Sequence, residues 1–375
     1  MNRVLILASY APSLRNFRGA LIGELVGRGH EVYAAAPHLL SDARTREWLE
    51  SKGVACHDVP LSRTGLDPLA DIRTLLALTR LMRRIRPDLF LGYTVKPVVW
   101  GLLAAKVTNV PGRVALITGL GYAFTGASTG LRGIVRHIAR NLYGIALKRA
   151  TLVFFQNPDD RDDFARLGLL PPGLRVEVVN GSGVDTDTFA PVSFPEPPLR
   201  FLLIARLLGD KGIREYAAAA ENLHERWPEA EFHLVGPLDP NPEGIAESEV
   251  RGWQDAGHLI WHGALDDVRP AIAAAHVYVL PSYREGTPRT ALEAMAMGRP
   301  VITTDAPGCR QTVAPGENGF LVPVRDADAL AAAMERFLRD PGLIAPMGKA
   351  ARQIAEARYD VRKVNAAILD AMGIT

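Results

Sequence analysis

The sequence predicts an α/β chain of two domains, each a parallel sheet flanked by helices. Three observations predict it. The 375 residues exceed what one compact core organises and suit two domains of roughly 150–190 residues. Short apolar runs alternate with amphipathic stretches along the whole chain, the pattern of strands joined by helical crossovers. The stretch Pro191-Val192-Ser193-Phe194-Pro195-Glu196-Pro197-Pro198 divides two such halves, and its prolines favour an extended connector and exclude helix. Residues 1–190 are read as the first domain and 191–358 as the second. Residues 359–375 are read as a closing segment that packs back on the first.

The elements follow in order. Residues 3–8 form a short apolar run, too short for a signal peptide, and read as a buried first strand. Further strands are expected at 31–35, 89–92, 114–118 and 152–156. In the second half they are expected at 200–204, 231–235, 259–261, 277–280 and 301–303. A helical segment at 291–297 is ended by Gly298 and Pro300, and Val361–Met372 is helical again. In open parallel sheets a ligand sits outside the carboxyl ends of the strands. With two such domains the expected site is a cleft between them, so the residues to weigh are those just after strands.

Composition narrows the function. At 48% hydrophobic and 22% charged, the chain is an ordinary globular one. No apolar run reaches the ~18–20 residues of a spanning helix. Two cysteines, Cys56 and Cys309, supply neither a disulfide framework nor a four-cysteine zinc site and fit a reducing cytoplasm. The nine histidines show no metal-binding spacing, so no metal and no cofactor are expected. Gly119-x-Gly121-x-x-Phe124 lacks the third glycine of a dinucleotide fingerprint and follows a late strand, which argues against NAD. Asp185-Thr186-Asp187 reads as a turn rather than a metal site.

The net charge of +2 hides an asymmetry. Residues 1–190 hold 24 Lys+Arg against 16 Asp+Glu, and no acid lies between Asp88 and Asp159. Such a basic half suits an anionic surface or substrate, although a solvated face balanced by the acidic half is the plainer alternative.

The most specific chemistry lies in the second half. The expected strand at 277–280 runs into Pro281-Ser282-Tyr283-Arg284-Glu285-Gly286-Thr287-Pro288-Arg289-Thr290, with Glu285 in the loop and Glu293 in the first turn of the helix. The helix start offers unpaired amides and a positive dipole to phosphate, and carboxylates accept from sugar hydroxyls. Two acids flanking an anion-binding helix start suit a nucleotide sugar. The alternative is a turn residue and a surface acid. After the strand at 200–204 come Arg206 and Lys211, two cations placed to neutralise a diphosphate.

Together these pieces resemble the retaining glycosyltransferases of family 4, which have the GT-B fold of two Rossmann-like domains facing across a cleft. The matching residues are Arg206…Lys211 and Pro281-Ser282-x-x-Glu285-Gly286-x-Pro288, continuing to Leu292-Glu293-Ala294-Met295-Ala296-x-Gly298-x-Pro300. Gly181-x-Gly183-Val184-Asp185, Gly236 and Gly316-x-Asn318-Gly319-Phe320 match as well. The resemblance implies that Glu285 contacts the donor sugar, Glu293 the ribose, and Arg206 and Lys211 the diphosphate. It implies that Gly286, Thr287, Pro288, Arg289 and Thr290 line the sugar and phosphate. Leu265, in His262-Gly263-Ala264-Leu265, is expected by the base, and Gly236 in the donor site.

The first half resembles a narrower group that builds bacterial surface polysaccharides on a polyprenyl-diphosphate carrier. The group includes N-acetylgalactosaminyltransferases acting on lipid-linked diacetylbacillosamine. The matching pieces are Asn16-Phe17-Arg18, Gly29-His30-Glu31-Val32, Tyr93-Thr94-Val95-Lys96-Pro97 and Thr118-Gly119-Leu120-Gly121-Tyr122-Ala123-Phe124. Asn16, Arg18, Thr94, Lys96, Gly119, Gly121 and Tyr122 are the expected acceptor residues, with Lys96 equally readable as a helix-start cation. The first strand–helix loop is read as Ser13-Leu14-Arg15-Asn16, where many family members carry a glycine pair.

The expected reaction moves a hexose or N-acetylhexosamine from a UDP-sugar to a polyprenyl-diphosphate-linked saccharide, with retention. No first-half carboxylate or histidine stands out as a base, which is compatible with front-face attack in which the departing diphosphate takes the acceptor proton. A nucleotide-sugar epimerase of the same fold and a non-catalytic lipid- or anion-binding protein are the alternatives. Apolar residues at helical spacing (Leu131, Ile134, Val135, Ile138, Leu142; Leu75, Leu78, Met82, Ile85) lie beside arginines (Arg132, Arg136, Arg140; Arg80, Arg83, Arg84, Arg86). Either these stripes face the core, or they dock on an anionic membrane. The expected location is the cytoplasmic face of the bacterial inner membrane, bound peripherally. No nucleic-acid partner is expected.

Overall fold

The computed structural model describes residues 1–62, 67–119, 130–241 and 243–374; for residues 130–132 and 134–136 it describes the backbone alone. The chain forms two compact units, one of Met1–Ser182 with Val364–Thr375 and the other of Gly183–Lys363.

The first unit is a seven-stranded sheet whose strand pairs are all parallel. Its strands are β1 (Arg3–Leu7), β2 (Glu31–Ala36), β3 (Ala55–Asp58), β4 (Leu89–Tyr93), β5 (Gly112–Ile117), β6 (Leu152–Phe155) and β7 (Arg175–Val178), in the order β3-β2-β1-β4-β5-β6-β7. The crossover helices are α1 (Pro12–Gly27), α2 (Ala43–Glu50), α3 (Pro68–Ile85), α4 (Val95–Val107), α5 (Gly130–Leu147) and α6 (Pro158–Arg166). Because side chains alternate along a strand, β1 feeds two cores. Leu5 and Leu7 join Leu78, Met82 and Leu102, whereas Val4 and Ile6 join Leu21, Ile22 and Leu25.

The second unit repeats the plan. Strands β8 (Arg200–Ile204), β9 (Glu231–Val235), β10 (Ile260–Trp261), β11 (Val277–Leu280), β12 (Val301–Thr304) and β13 (Gly319–Val322) run in the order β10-β9-β8-β11-β12-β13, again all parallel. Its helices are α7 (Ile213–His224), α8 (Glu247–Asp255), α9 (Arg269–Ala273), α10 (Arg289–Ala296), α11 (Ala327–Arg339) and α12 (Ile344–Ile354). The closing helix α13 (Val361–Met372) puts Val364, Ile368 and Leu369 into the core of the first unit.

Several expectations are corrected. Strands β3, β7 and β13 were not expected. β3 (ACHD) and β7 (RVEV) are short sheet edges with half-exposed polar residues, so they carry no apolar run. The first unit ends at Ser182, not at residue 190, because Val184 is buried in the second core and pairs with Asp360. The chain returns to the first unit at Val364 rather than 359, for the same reason. The proline-rich stretch is irregular, as its composition requires, but it is strapped down. The fully buried Arg299 donates to the carbonyls of Val192 and Ser193 at 3.0 Å each, and to those of Ile272 and Ala273. Its guanidinium also lies 4.6 Å from the Phe194 ring centroid.

Asp360 gives this junction a pH dependence. Its carboxylate accepts from Thr186 Oγ1, the Arg362 amide and the Arg362 guanidinium, and the Arg362 side chain first of all holds its pKa down at about 2, against the ordinary 3.8. A depressed acid stabilises the fold above its ordinary pKa and loses that contribution as pH falls towards the folded value. Arg362 is largely exposed, so screening trims the effect to about 1–2 kcal/mol. Unfolding titrations should show this loss between about pH 4 and pH 2, and Asp360→Asn should flatten it.

Candidate active site

In each sheet the strand order reverses once, between β1 and β4 in the first unit and between β8 and β11 in the second. Crossovers leave to opposite faces at such a point and open a crevice at the carboxyl ends of the strands. The residues singled out in the sequence lie there. Arg206 and Lys211 follow β8, and Glu285 and Glu293 follow β11.

In the second unit the two loops are laced together. Gly212 has φ +71°, and a Cβ on it would sit 2.2 Å from the Pro281 carbonyl oxygen, so only glycine lets the turn close on the β11 loop. The Tyr283 amide donates to the Asp210 carbonyl at 2.8 Å. This closure sets the Lys211 ammonium 2.6 Å from Glu285 Oε1, both side chains largely buried. Burial opposes the lysine's charge, but Glu285 and Asp210 outweigh it and leave the pKa raised, so the ammonium stays charged. Burial raises the pKa of the neighbouring Asp210 carboxyl, which also senses Lys211, Glu285 and Arg206.

Helix α10 begins at Arg289, so Glu293 lies in its second turn and not its first. Glu293 is 5% exposed and accepts from Arg289 Nε at 2.7 Å. Burial raises its pKa, and Arg289 pulls the other way. Thr290 turns its hydroxyl inward to Tyr278, 2.5 Å away, and to the Ile204 carbonyl, pinning the helix start to the ends of β11 and β8. Gly286, Thr287 and Pro288 form the short turn between Glu285 and the helix. Arg206 is half-exposed and pairs with Asp239 at 2.7 Å. Gly236, at φ +150°, brings the loop after β9 so close to β8 that a Cβ would meet the Ala205 oxygen at 1.7 Å. Leu265 lines a cavity of about 240 Å³ together with Leu202, Ala271 and the stacked pair His233–His262, whose ring nitrogens are 2.8 Å apart.

In the first unit Ser13, Leu14, Arg15 and Asn16 are helical, not a loop. Pro12 opens α1, so the strand–helix loop is Ala8-Ser9-Tyr10-Ala11. Ser9 Oγ lies 2.9 Å from Thr94 Oγ1 across the switch point. Thr94 has φ +68°, a strained conformation for a β-branched residue, and such strain gathers at functional sites. Arg18 is buried with its guanidinium 5.2 Å from the Tyr93 ring centroid, and the Tyr93 hydroxyl meets Ser13 at 2.7 Å. Burial pushes the Tyr93 phenol up to about 12. Asn16 is on the exposed side of α1 beside Arg15, and Gly119 stands two residues past β5 at φ +123°. Gly121 and Tyr122 lie outside the described residues.

Lys96 is not a bare cation. Its ammonium is 2.9 Å from Asp71 in the first turn of α3, and both side chains are nearly buried. Breaking a buried pair leaves an uncompensated charge, so Lys96→Met should cost about 3 kcal/mol, read as a lower urea midpoint. The double variant Asp71→Leu/Lys96→Met should recover most of it.

Two family descriptions match the chain, one on each unit. The glycosyl transferase 4-like domain covers residues 15–181, and glycosyl transferases group 1 covers 198–340. The chain is a family 4 glycosyltransferase. The transferase is 28% identical to the N,N'-diacetylbacillosaminyl-diphospho-undecaprenol alpha-1,3-N-acetylgalactosaminyltransferase of Campylobacter jejuni, over 96% of this chain and 95% of that one. Its fold is that of sucrose-phosphate synthase from Thermosynechococcus elongatus, with a TM-score of 0.83 at 20% identity over 99% of this chain and 98% of that one. Anabaena HepE in complex with UDP matches at a TM-score of 0.76 and 19% identity over the whole of both chains. The fold is therefore GT-B.

Sequence reasoning missed the partners in the transferase's site. Asp71 and Asp239 lie in other loops or helices than the cations they hold, Lys96 and Arg206, and spacing along the chain gives no sign of those pairings. Among the described residues, no cluster of three or more histidine, cysteine, aspartate or glutamate side chains is arranged to hold a metal ion.

Proposed function

We propose that this glycosyltransferase moves a sugar from a UDP-sugar to a hydroxyl of a polyprenyl-diphosphate-linked saccharide, with retention at the anomeric carbon and without a metal. One observation carries the reading: nearly the full length of the chain matches a transferase whose acceptor is an undecaprenyl-diphosphate-linked sugar. The UDP donor is supported by the fold shared with a protein solved with UDP.

In this reading Lys211 and Arg206 neutralise the donor diphosphate and stabilise it as it leaves. Glu285 orients the sugar, Glu293 takes the ribose, and the turn Gly286-Thr287-Pro288 with the α10 start at Arg289 and Thr290 lines the phosphates. Gly236 and Leu265 border the base. Arg18, Asn16, Thr94, Lys96 and Gly119, with Gly121 and Tyr122, serve the acceptor. The lipid carrier implies peripheral binding to the cytoplasmic face of the membrane; among the described residues no helix is long and apolar enough to cross one.

The test is a panel of nucleotide sugars with and without a lipid-linked acceptor extract, read by mass spectrometry. Transfer that requires both UDP-sugar and lipid supports the proposal. Donor consumed without acceptor would indicate an epimerase, and no turnover a binding protein; the relatives compared support neither.

A further inference from the structure

The apolar stripe that the sequence offered for α3 is not available to a membrane. Leu78, Met82 and Ile85 are buried in the first core, and Leu75 packs against it. The opposite side of the same helix is a second surface. Leu69, Ile72 and Leu76 recur at i, i+3 and i+7 and are 68%, 53% and 48% exposed. Arg73, Arg80, Arg83 and Arg84 share that exposed side. The one acid within α3, Asp71, is turned inward onto Lys96. The outward face thus carries its three large apolar side chains, with Arg73 beside them, over its first three turns and is cationic over its last two.

We propose that this outward face of α3 docks the enzyme on an anionic bilayer, with Leu69, Ile72 and Leu76 entering the headgroup–acyl boundary and the arginines meeting lipid phosphates. The inference rests on the proposed lipid-linked acceptor and says which surface meets the lipid. Three large apolar side chains held in water on one helix face mark an interaction site. Cations along the same face select an anionic partner and suit a helix lying in the interface plane. The geometry also fits the acceptor. Leu69 and Ile72 flank Asp71, whose carboxylate holds the candidate acceptor cation Lys96 at 2.9 Å. Docking by this end of α3 brings the bilayer to the end of the sheet where an acceptor diphosphate would bind, so the polyprenyl tail need not leave the membrane.

Co-sedimentation with vesicles of equal phosphatidylcholine and phosphatidylglycerol at low salt tests the surface, with pure phosphatidylcholine as control. The expected result is binding to the anionic vesicles only. Both Leu69→Ser/Ile72→Ser/Leu76→Ser and Arg80→Glu/Arg83→Glu should lower the bound fraction at least about tenfold with unchanged thermal unfolding. Transfer to a short-chain, water-soluble acceptor should continue in both variants. Wild-type protein that ignores anionic vesicles overturns the proposal, as do variants that bind like wild type. So does a wild-type dimer that the serine variant dissociates, because the face would then be a protein interface. Loss of transfer to every acceptor in the wild type would instead overturn the transferase reading itself.

Discussion

Glu285→Ala and Lys211→Ala should each lower kcat by about 10²–10³. The two side chains meet at 2.6 Å at the ends of β8 and β11, away from bulk water. A charged donor fixed where the leaving diphosphate gains charge contributes about 2.7–4 kcal/mol to the transition state and needs no rearrangement during the reaction. Glu285 holds the ammonium and, in the proposed function, also meets the sugar, so the effects should not add. The double variant should lose little more than either single one. Steady-state rates with a UDP-sugar, beside circular-dichroism melts of each variant, measure this. Near-wild-type turnover in both single variants would refute the assignment.

Arg299→Ala should have the largest effect on stability, about 3–5 kcal/mol, through lost carbonyl bonds and the volume left behind. The side chain is fully buried, and its bonds tie the stretch at Val192 and Ser193 to the ends of α9 and α10. Burial lowers its pKa to about 10, still far above neutrality, so the guanidinium remains charged. Arg299→Lys should recover less than half of the loss, because one ammonium does not span carbonyls on several sides. Differential scanning calorimetry of the two variants would show it. A domain of this size should lose on the order of 10 °C in Tm for the alanine change.

Most central strands were legible in the sequence because strands buried on both faces read as apolar runs. Residues 200–204, 231–235 and 277–280 match β8, β9 and β11 to the residue. The edge strands β3 and β7 were hidden because one-sided pairing leaves their side chains half in water. The candidate site divides in the same way. Glu285, Glu293, Arg206 and Lys211 were found because a ligand crevice lies at strand ends and the chain marks those ends with loops. The Asp239 partner of Arg206 and the Asp71 partner of Lys96 were not, since these pairs join residues 33 and 25 positions apart.

By itself, the sequence determined the two-sheet architecture, the two acids of the candidate donor site after β11 and the imbalance of charge between the halves. Local periodicity and loop chemistry are written in neighbouring residues. Only the tertiary structure decided which side of α3 faces water, which carboxylate holds each cation, and that the proline stretch is clamped by Arg299. Those outcomes depend on burial, and burial depends on what the rest of the chain packs against each residue.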